Sequence, residues 1–260
     1  MTVLLDSHVH LDAPEFACDL AQVLARSRAV GVSGWVVPAV AQSGFARLRK
    51  LAQEISGLMP AYGLHPLYLD EHREAHLENV SVHLAEPSTC AVGECGLDYF
   101  VPGLDQATQE HYFFAQLKLA RDFDLPVIVH ARRATEAVLL ALRRFGVRRG
   151  VIHSYGGSMV QAEQLIALGL HLGFGGPITY PRASKLRLMA TQLPIEHLLL
   201  ETDAPDQPLY GHQGKRNEPA QLPQVLAIWA ELRGCEPSVL GKQLSANAKA
   251  LFTRVIPERQ

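Results

Sequence analysis

Short apolar runs alternate along the chain with longer segments in which apolar residues recur every three or four positions. The short runs are Val3–Asp6, Gly34–Pro38, Ala61–Leu64, Cys90–Glu94, Val127–His130, Gly150–His153, His171–Phe174 and Leu198–Glu201. They are rich in Val, Ile and Leu and alternate only weakly, the pattern of parallel strands buried on both faces. The longer segments predict helices, among them Asp19–Val30, Phe45–Ile55, Gln106–Phe123, Thr135–Phe145, Met159–Leu168 and Leu222–Leu232. Gly146, Gly169 and Gly234 sit where three of these helices should end. Eight strands separated by helices predict a (β/α)8 TIM-type barrel, one domain over residues 1–260. The rival is an open, doubly wound sheet. Its dinucleotide-binding version lacks support, because no Gly-x-Gly-x-x-Gly turn follows the first strand.

Composition then removes several functional classes. The chain is 48% hydrophobic and 19% charged, ordinary for a globular protein. A formal net charge of -2 gives no bulk electrostatic grip on nucleic acid, so any such substrate must be held locally. Cys18, Cys90, Cys95 and Cys235 follow neither a Cys-x-x-Cys spacing nor a disulfide framework. They read as reduced thiols of a cytoplasmic protein. Asp6 and His8 interrupt the first apolar run, unlike a signal peptide. No run of about 18 apolar residues predicts a membrane span. No separate nucleic-acid-binding module and no obligate protein partner are evident.

The candidate chemistry gathers at the strand ends. In LLDSHVHLD, His8 and His10 follow the first strand two positions apart, so both rings point to one side. His65 follows the third strand, Glu94 ends the fourth, His130 the fifth and His153 the sixth, and Asp203 follows the eighth. In a barrel these ends form the active face. Imidazole and carboxylate suit Zn²⁺ or Mn²⁺, whereas Mg²⁺ favours oxygen. His8, His10, Glu94, His130, His153 and Asp203 exceed what one tetrahedral ion needs. Two divalent ions (Mg, Mn or Zn) about 3.5–4 Å apart fit better, with Glu94 bridging them. Glu94 and Asp203 are thus the candidate catalytic carboxylates, and Asp203 is placed to accept a proton from the activated water. Such a centre suits attack on a phosphodiester and also on the carbonyl of an ester, lactone or amide. The remaining histidines read differently. His72, His76, His83, His111, His171 and His197 fall in polar stretches, inside a helix or at strand starts, and are expected to be structural or superficial. On that reading His72→Ala changes little. His212 is left open.

The series LLDSHVHLD, GLHP, VGECGLDY, PVIVHARRATE, HSYGG, LLLETDAP and RNEP, in order from Leu4 to Pro219, resembles the TatD-family metal-dependent hydrolases. These are divalent-metal deoxyribonucleases among the amidohydrolase-like barrels. The resemblance implies that His8, His10 and Asp203 hold one ion, that His130 and His153 hold the second, and that Glu94 bridges. It implies substrate-binding roles for His65 and Arg132, with Tyr155 a further candidate, and Glu218 orienting Arg216 or a loop backbone. Related carbonyl-hydrolysing barrels bridge their metals with a modified lysine at the end of the fourth strand. Here that position is Glu94, and no lysine ends a predicted strand. The implied activity is a phosphodiesterase acting on DNA or short oligonucleotides. Arg132, Arg133, Lys185, Arg187, Lys215 and Arg216 are the candidate cations of its mouth. The stretch Asp70–His83 reads as a variable loop affecting substrate choice. Asp6 is expected to accept a hydrogen bond from a ligand imidazole or a loop amide, Asp98 to play a structural part such as a helix cap rather than to accept from a ligand, and Cys95, Trp35 and Trp229 to pack.

Overall fold

A computed structural model describes residues 3–254. Its strands are β1 (Leu4–Asp6), β2 (Val32–Pro38), β3 (Leu58–Tyr62), β4 (Ala91–Asp98), β5 (Val127–Arg132), β6 (Gly150–Ile152), β7 (Leu170–Phe174) and β8 (Leu198–Leu200). All are parallel and lie in sequence order in one sheet. Helices α1 (Leu20–Ala29), α2 (Phe45–Glu54), α3 (Glu74–Leu84), α4 (Gln106–Asp122), α5 (Thr135–Phe145), α6 (Met159–Leu168), α7 (Ser184–Gln192), α8 (Leu222–Arg233) and α9 (Pro237–Phe252) complete the fold. This is the expected TIM-type barrel.

Among the described residues no ladder joins β8 to β1. Just beyond the strands, Ser7 N donates to Leu200 O (3.0 Å), Asp203 N to His8 O (2.9 Å) and His10 N to Ala204 O (2.8 Å). The buried Asp6 carboxylate adds to this seam by accepting from Thr202 N (2.9 Å) and Thr202 Oγ1 (2.6 Å). The segments carrying His8, His10 and Asp203 are thereby sewn directly to each other. Inward-facing Leu5, Val36, Ala61, Ile128, Val151 and Leu199 form one cluster, which Ala248, Leu251 and Phe252 of α9 join. That apolar layer lies beneath the strand ends that carry the chemistry. Trp35 and Trp229 are fully buried in the outer cluster, and their ring N–H groups donate to Ser27 Oγ and Ala190 O.

Local signals explain most boundaries. The Ser158 side chain and Gln161 form a capping box at the start of α6, and Asp105 caps α4 through Thr108 N at 2.7 Å. Gly146, Gly169 and Gly234 end their helices in the left-handed conformation. Gly96 is the tightest point of the sheet. A Cβ there would lie 2.0 Å from His130 O, so only glycine lets β4 and β5 meet beside the candidate ligands.

Two expectations need correction. β3 begins three residues earlier than the run Ala61–Leu64 and ends at Tyr62. Pro60 looks like a strand breaker, but only its carbonyl is needed on the β4 side, where Cys90 N donates to it at 2.9 Å. The stretch Asp70–His83 is no loop: a short 3₁₀ turn, Pro66–Glu71, leads into α3. Only Val80 and Leu84 of α3 are fully buried, an apolar stripe too narrow for the sequence pattern to reveal. Among the described residues no helix is long and apolar enough to cross a membrane.

Candidate metal centre

The strand ends bring His8, His10, His65, Glu94, His130, His153 and Asp203 together at one end of the barrel. Glu94 lies at the centre, 1% exposed, and its two carboxylate oxygens face different partners. Oε2 is 3.2 Å from His8 Nε2 and 3.5 Å from His10 Nε2. Oε1 is 2.8 Å from His153 Nε2, 3.1 Å from His65 Nε2 and 3.3 Å from His130 Nδ1. Asp203 Oδ1 joins the first side, 3.5 Å from His8 Nε2 and 3.7 Å from His10 Nε2. Three overlapping triads have ligand atoms all within 4.8 Å of one another: His8–His10–Asp203, His8–Glu94–His153 and His65–Glu94–His130.

Neighbouring groups fix which ring nitrogen faces the centre. His10 Nδ1 lies 3.2 Å from Pro38 O, an acceptor only, so it carries the proton and Nε2 keeps its lone pair. His130 Nε2 lies 2.8 Å from the Asp98 carboxylate, which leaves Nδ1 for the centre. His65 is the reverse. Its Nδ1 accepts from Leu67 N (3.1 Å), so its neutral ring carries the proton on Nε2, the atom facing Glu94. His65 therefore presents a donor where His10 and His130 present lone pairs.

The electrostatics follow from this packing. Burial works against the charged form of Glu94, yet His153, then His65 and His8, hold it well below the usual carboxylate range. Burial, followed by the charge of His153, holds His8 well below an ordinary imidazole. His153 goes the other way: burial opposes its charge, but Glu94 pushes it up to about 10. Burial also opposes the charge of Asp98, but His130 and the amides of Val101 and Phe100 bring it down to about 2. Glu94 Oε1 is buried without a hydrogen bond although three ring nitrogens face it. This donor set suits a divalent cation in place of the shared protons.

The centre opens into a cavity of about 1400 Å³, larger than the roughly 300–1,000 Å³ typical of small-molecule pockets. Of the cations expected at its mouth, Arg132, Arg133 and Lys185 line it. Arg187 instead donates to Ile178 O, and Arg216 pairs with Asp19. The arrangement can polarise a bound group, hold an anion and accept a proton.

The chain matches the family model described as TatD related DNase over residues 5–253. It belongs to the TatD family of metal-dependent hydrolases. Among the relatives is the "Uncharacterized metal-dependent hydrolase YjjV" of Escherichia coli K12, 42% identical over 251 residues, covering 95% of this chain and 97% of YjjV. The crystal structure of YjjV superimposes with a TM-score of 0.94 at 41% identity, covering 98% of this chain and 99% of that one. A Klebsiella pneumoniae protein named "3'-5' ssDNA/RNA exonuclease TatD" is 34% identical over 256 residues, covering 96% and 97% of the two chains.

Within this TatD-family fold, three sequence expectations require correction. Tyr155 does not line the cavity: it is 2% exposed, its hydroxyl donates to Ser158 O (2.7 Å), and its ring packs on Phe174. An aromatic after His153 could not be told from a packing residue by sequence alone. Glu218 does not orient Arg216. It pairs with Arg26 at 2.7 Å, while Arg216 pairs with Asp19 at 2.7 Å, so the RNEP loop is clipped to α1 and the turn before it. His72 is not superficial: it is 3% exposed, and its Nε2 donates to His65 O at 2.9 Å.

Two residues near the TatD-family centre had no assigned role. Gln207, itself in the left-handed conformation, donates its amide to Asp203 Oδ2 and hydrogen-bonds Ser154 Oγ. Glu201 is buried beneath His153, with its carboxylate against Gly173, and accepts from Ser154 N. Burial pushes Glu201 up to about 8. Glu201 stood in view inside a predicted strand, but only the missing side chain at Gly173 makes room for it.

Proposed function

We propose that this TatD-family hydrolase is a phosphodiesterase of short or single-stranded nucleic acid that uses two divalent ions, Mg²⁺, Mn²⁺ or Zn²⁺. The reading rests above all on Glu94, whose two oxygens face separate ligand groups in a cavity larger than a small molecule needs. His8, His10 and Asp203 would hold one ion, His130 and His153 the other, and Glu94 both. When bound, such a pair supplies an activated water and neutralises charge on the scissile group.

The chain's own residues do the rest. Asp203, exposed at 8% and steadied through Oδ2 by Gln207, would accept the proton of the attacking water. The His65 Nε2–H donates to a non-bridging phosphate oxygen as negative charge grows there. Arg132 holds a second oxygen with its planar fork. The free thiols of all four cysteines support a reducing compartment, in line with a cytoplasmic protein. The name of the Klebsiella relative agrees with a single-stranded substrate.

The test strips the protein of metal and reloads it with each ion. Single-stranded DNA, duplex DNA and a chromogenic diester are then compared with lactones and amides. Metal-dependent cleavage of single-stranded DNA, lost in Glu94→Gln, is expected. Turnover of only the carbonyl panel would overturn the substrate assignment and leave the centre standing.

A further inference from the structure

We propose that Phe100 and Arg133, beside Arg132, form a second subsite, which grips a polynucleotide strand beyond the scissile phosphate. The proposal rests on the phosphodiesterase reading of the same cavity and names what that cavity selects: a chain with several phosphates over a single small diester.

The Arg132 guanidinium lies 3.8 Å from the centre of the Phe100 ring, and that of Arg133 lies 4.8 Å from it. Two like charges repel, yet each is attracted to the electron-rich ring, which draws both to it. Strand geometry alone would not produce this. Successive side chains on a strand point to opposite faces, so Arg133 should turn away from Arg132. Arg133 instead has φ 54, a left-handed conformation that L-residues avoid. That twist brings its guanidinium back to the same ring.

Neither arginine is neutralised. Among the described residues neither forms an ion pair, and Glu136, one helical turn after Arg132, accepts from Gln161 Nε2 (3.3 Å) instead. Both arginines line the cavity, and Phe100 beneath them is 42% exposed. Asp98 connects this platform to the metal centre. Its Oδ2 is 2.8 Å from His130 Nε2, while Oδ1 accepts from Phe100 N (2.9 Å) and Val101 N (3.1 Å). One carboxylate thus sets both a candidate ligand and the loop carrying the ring. Paired, unneutralised guanidinia suit the oxygens of successive phosphates, and the exposed ring edge suits an edge-to-face contact with a base.

The test measures binding of a phosphorothioate oligothymidylate, which resists cleavage, to the metal-loaded full chain across a range of salt. Each phosphate held on a single strand contributes about 0.7 to the slope of log affinity against log salt. Arg133→Gln is expected to flatten that slope by about 0.7. Its ratio of kcat/KM for the oligonucleotide over a chromogenic diester should fall roughly tenfold, the size of one lost charged hydrogen bond. Arg133→Lys, which keeps the charge, should restore the slope. Phe100→Leu should weaken binding several-fold. An unchanged slope and ratio in Arg133→Gln would overturn the subsite, even if the wild type cleaves DNA. A flattened slope in Arg133→Gln, with no phosphodiester cleaved by the wild type, would uphold the subsite and overturn the phosphodiesterase reading.

Discussion

The two ends of the barrel both carry histidines, and they treat them in opposite ways. At the C-terminal ends of the strands, five imidazoles crowd around Glu94. At the other end, His171 of β7 and His197, just before β8, sit with ring centroids 5.6 Å apart. Among the described residues neither of these makes an ion pair, and the Nδ1 atoms of both are buried without a hydrogen bond. Burial, then the neighbouring His197, pushes His171 down to about 4. Burial also opposes the charge of His153, yet the carboxylate of Glu94 reverses the outcome. An imidazole pair is therefore not a site in itself. A shared buried carboxylate gives the rings a fixed orientation and a charge to hold, and a metal ion then replaces the protons.

The largest effect that would break this contrast is the loss of that carboxylate. Glu94→Gln preserves shape and removes the charge. Hydrolysis is expected to fall at least about a thousandfold, with metal content reduced in elemental analysis. Full metal content with normal turnover would mean that the rings alone build the centre. Next in size is metal removal. A ligand that binds only the folded state at 1,000 times its Kd adds about 4 kcal/mol. Chelation should thus lower the melting temperature by roughly 8–16 °C for a chain of this size. The same shift in Glu94→Gln would place the stabilising ion elsewhere.

The same contrast explains what the sequence could and could not reveal. Strand ends are readable because buried parallel strands are apolar until the polar residue that ends them, as in Val127–Val129 before His130. The ligand types were legible for that reason. Roles set by hydrogen bonds between distant segments were not. Nothing near Gln207 indicates that its amide reaches Asp203. Tyr155 and Arg132 both follow a candidate ligand by two residues, yet one ring is buried and the other side chain is exposed. The identity of a side chain does not tell which way the loop turns. His72 looked superficial because its neighbours Glu71 and Arg73 are polar. Its burial comes from Tyr112 of α4, forty residues away in sequence, with ring centroids 5.3 Å apart.

His72 accordingly provides the third prediction, and it reverses the expectation drawn from the sequence. Its ring anchors the turn that begins at His65, whose Nε2–H faces the centre. His72→Ala removes a buried ring and leaves the His65 carbonyl with Tyr68 N (3.1 Å) as its remaining donor. A loss of about 1–3 kcal/mol in stability is expected, together with a fall in kcat at an unchanged metal content. Urea unfolding and steady-state kinetics check the two parts. His72→Asn, which keeps a donor, should recover part of the kcat loss. A wild-type kcat in His72→Ala would show that the turn holds His65 without help.

The smallest effect concerns the far end of the barrel. The unfolded state protonates His171 near the ordinary imidazole value of 6.5, the folded state only near 4. Above pH 6.5 neither state carries the proton, and the native neutral ring costs nothing. As pH falls through 6.5 toward 4 the unfolded state binds the proton first, so stability is lost across that window. Discounting for its partial exposure, His171 accounts for about 1–2 kcal/mol of this loss. His171→Gln cannot titrate and should unfold with a flatter dependence on pH between 6.5 and 4. Urea midpoints of the wild type and the variant, taken across that range, give the difference directly. All other groups are common to the two proteins and cancel. Parallel curves would show that the ring takes up its proton in the folded barrel as readily as in the unfolded chain. His197 and the base of the sheet would then offer it an environment no less favourable than water, and the contrast between the two ends would rest on Glu94 alone.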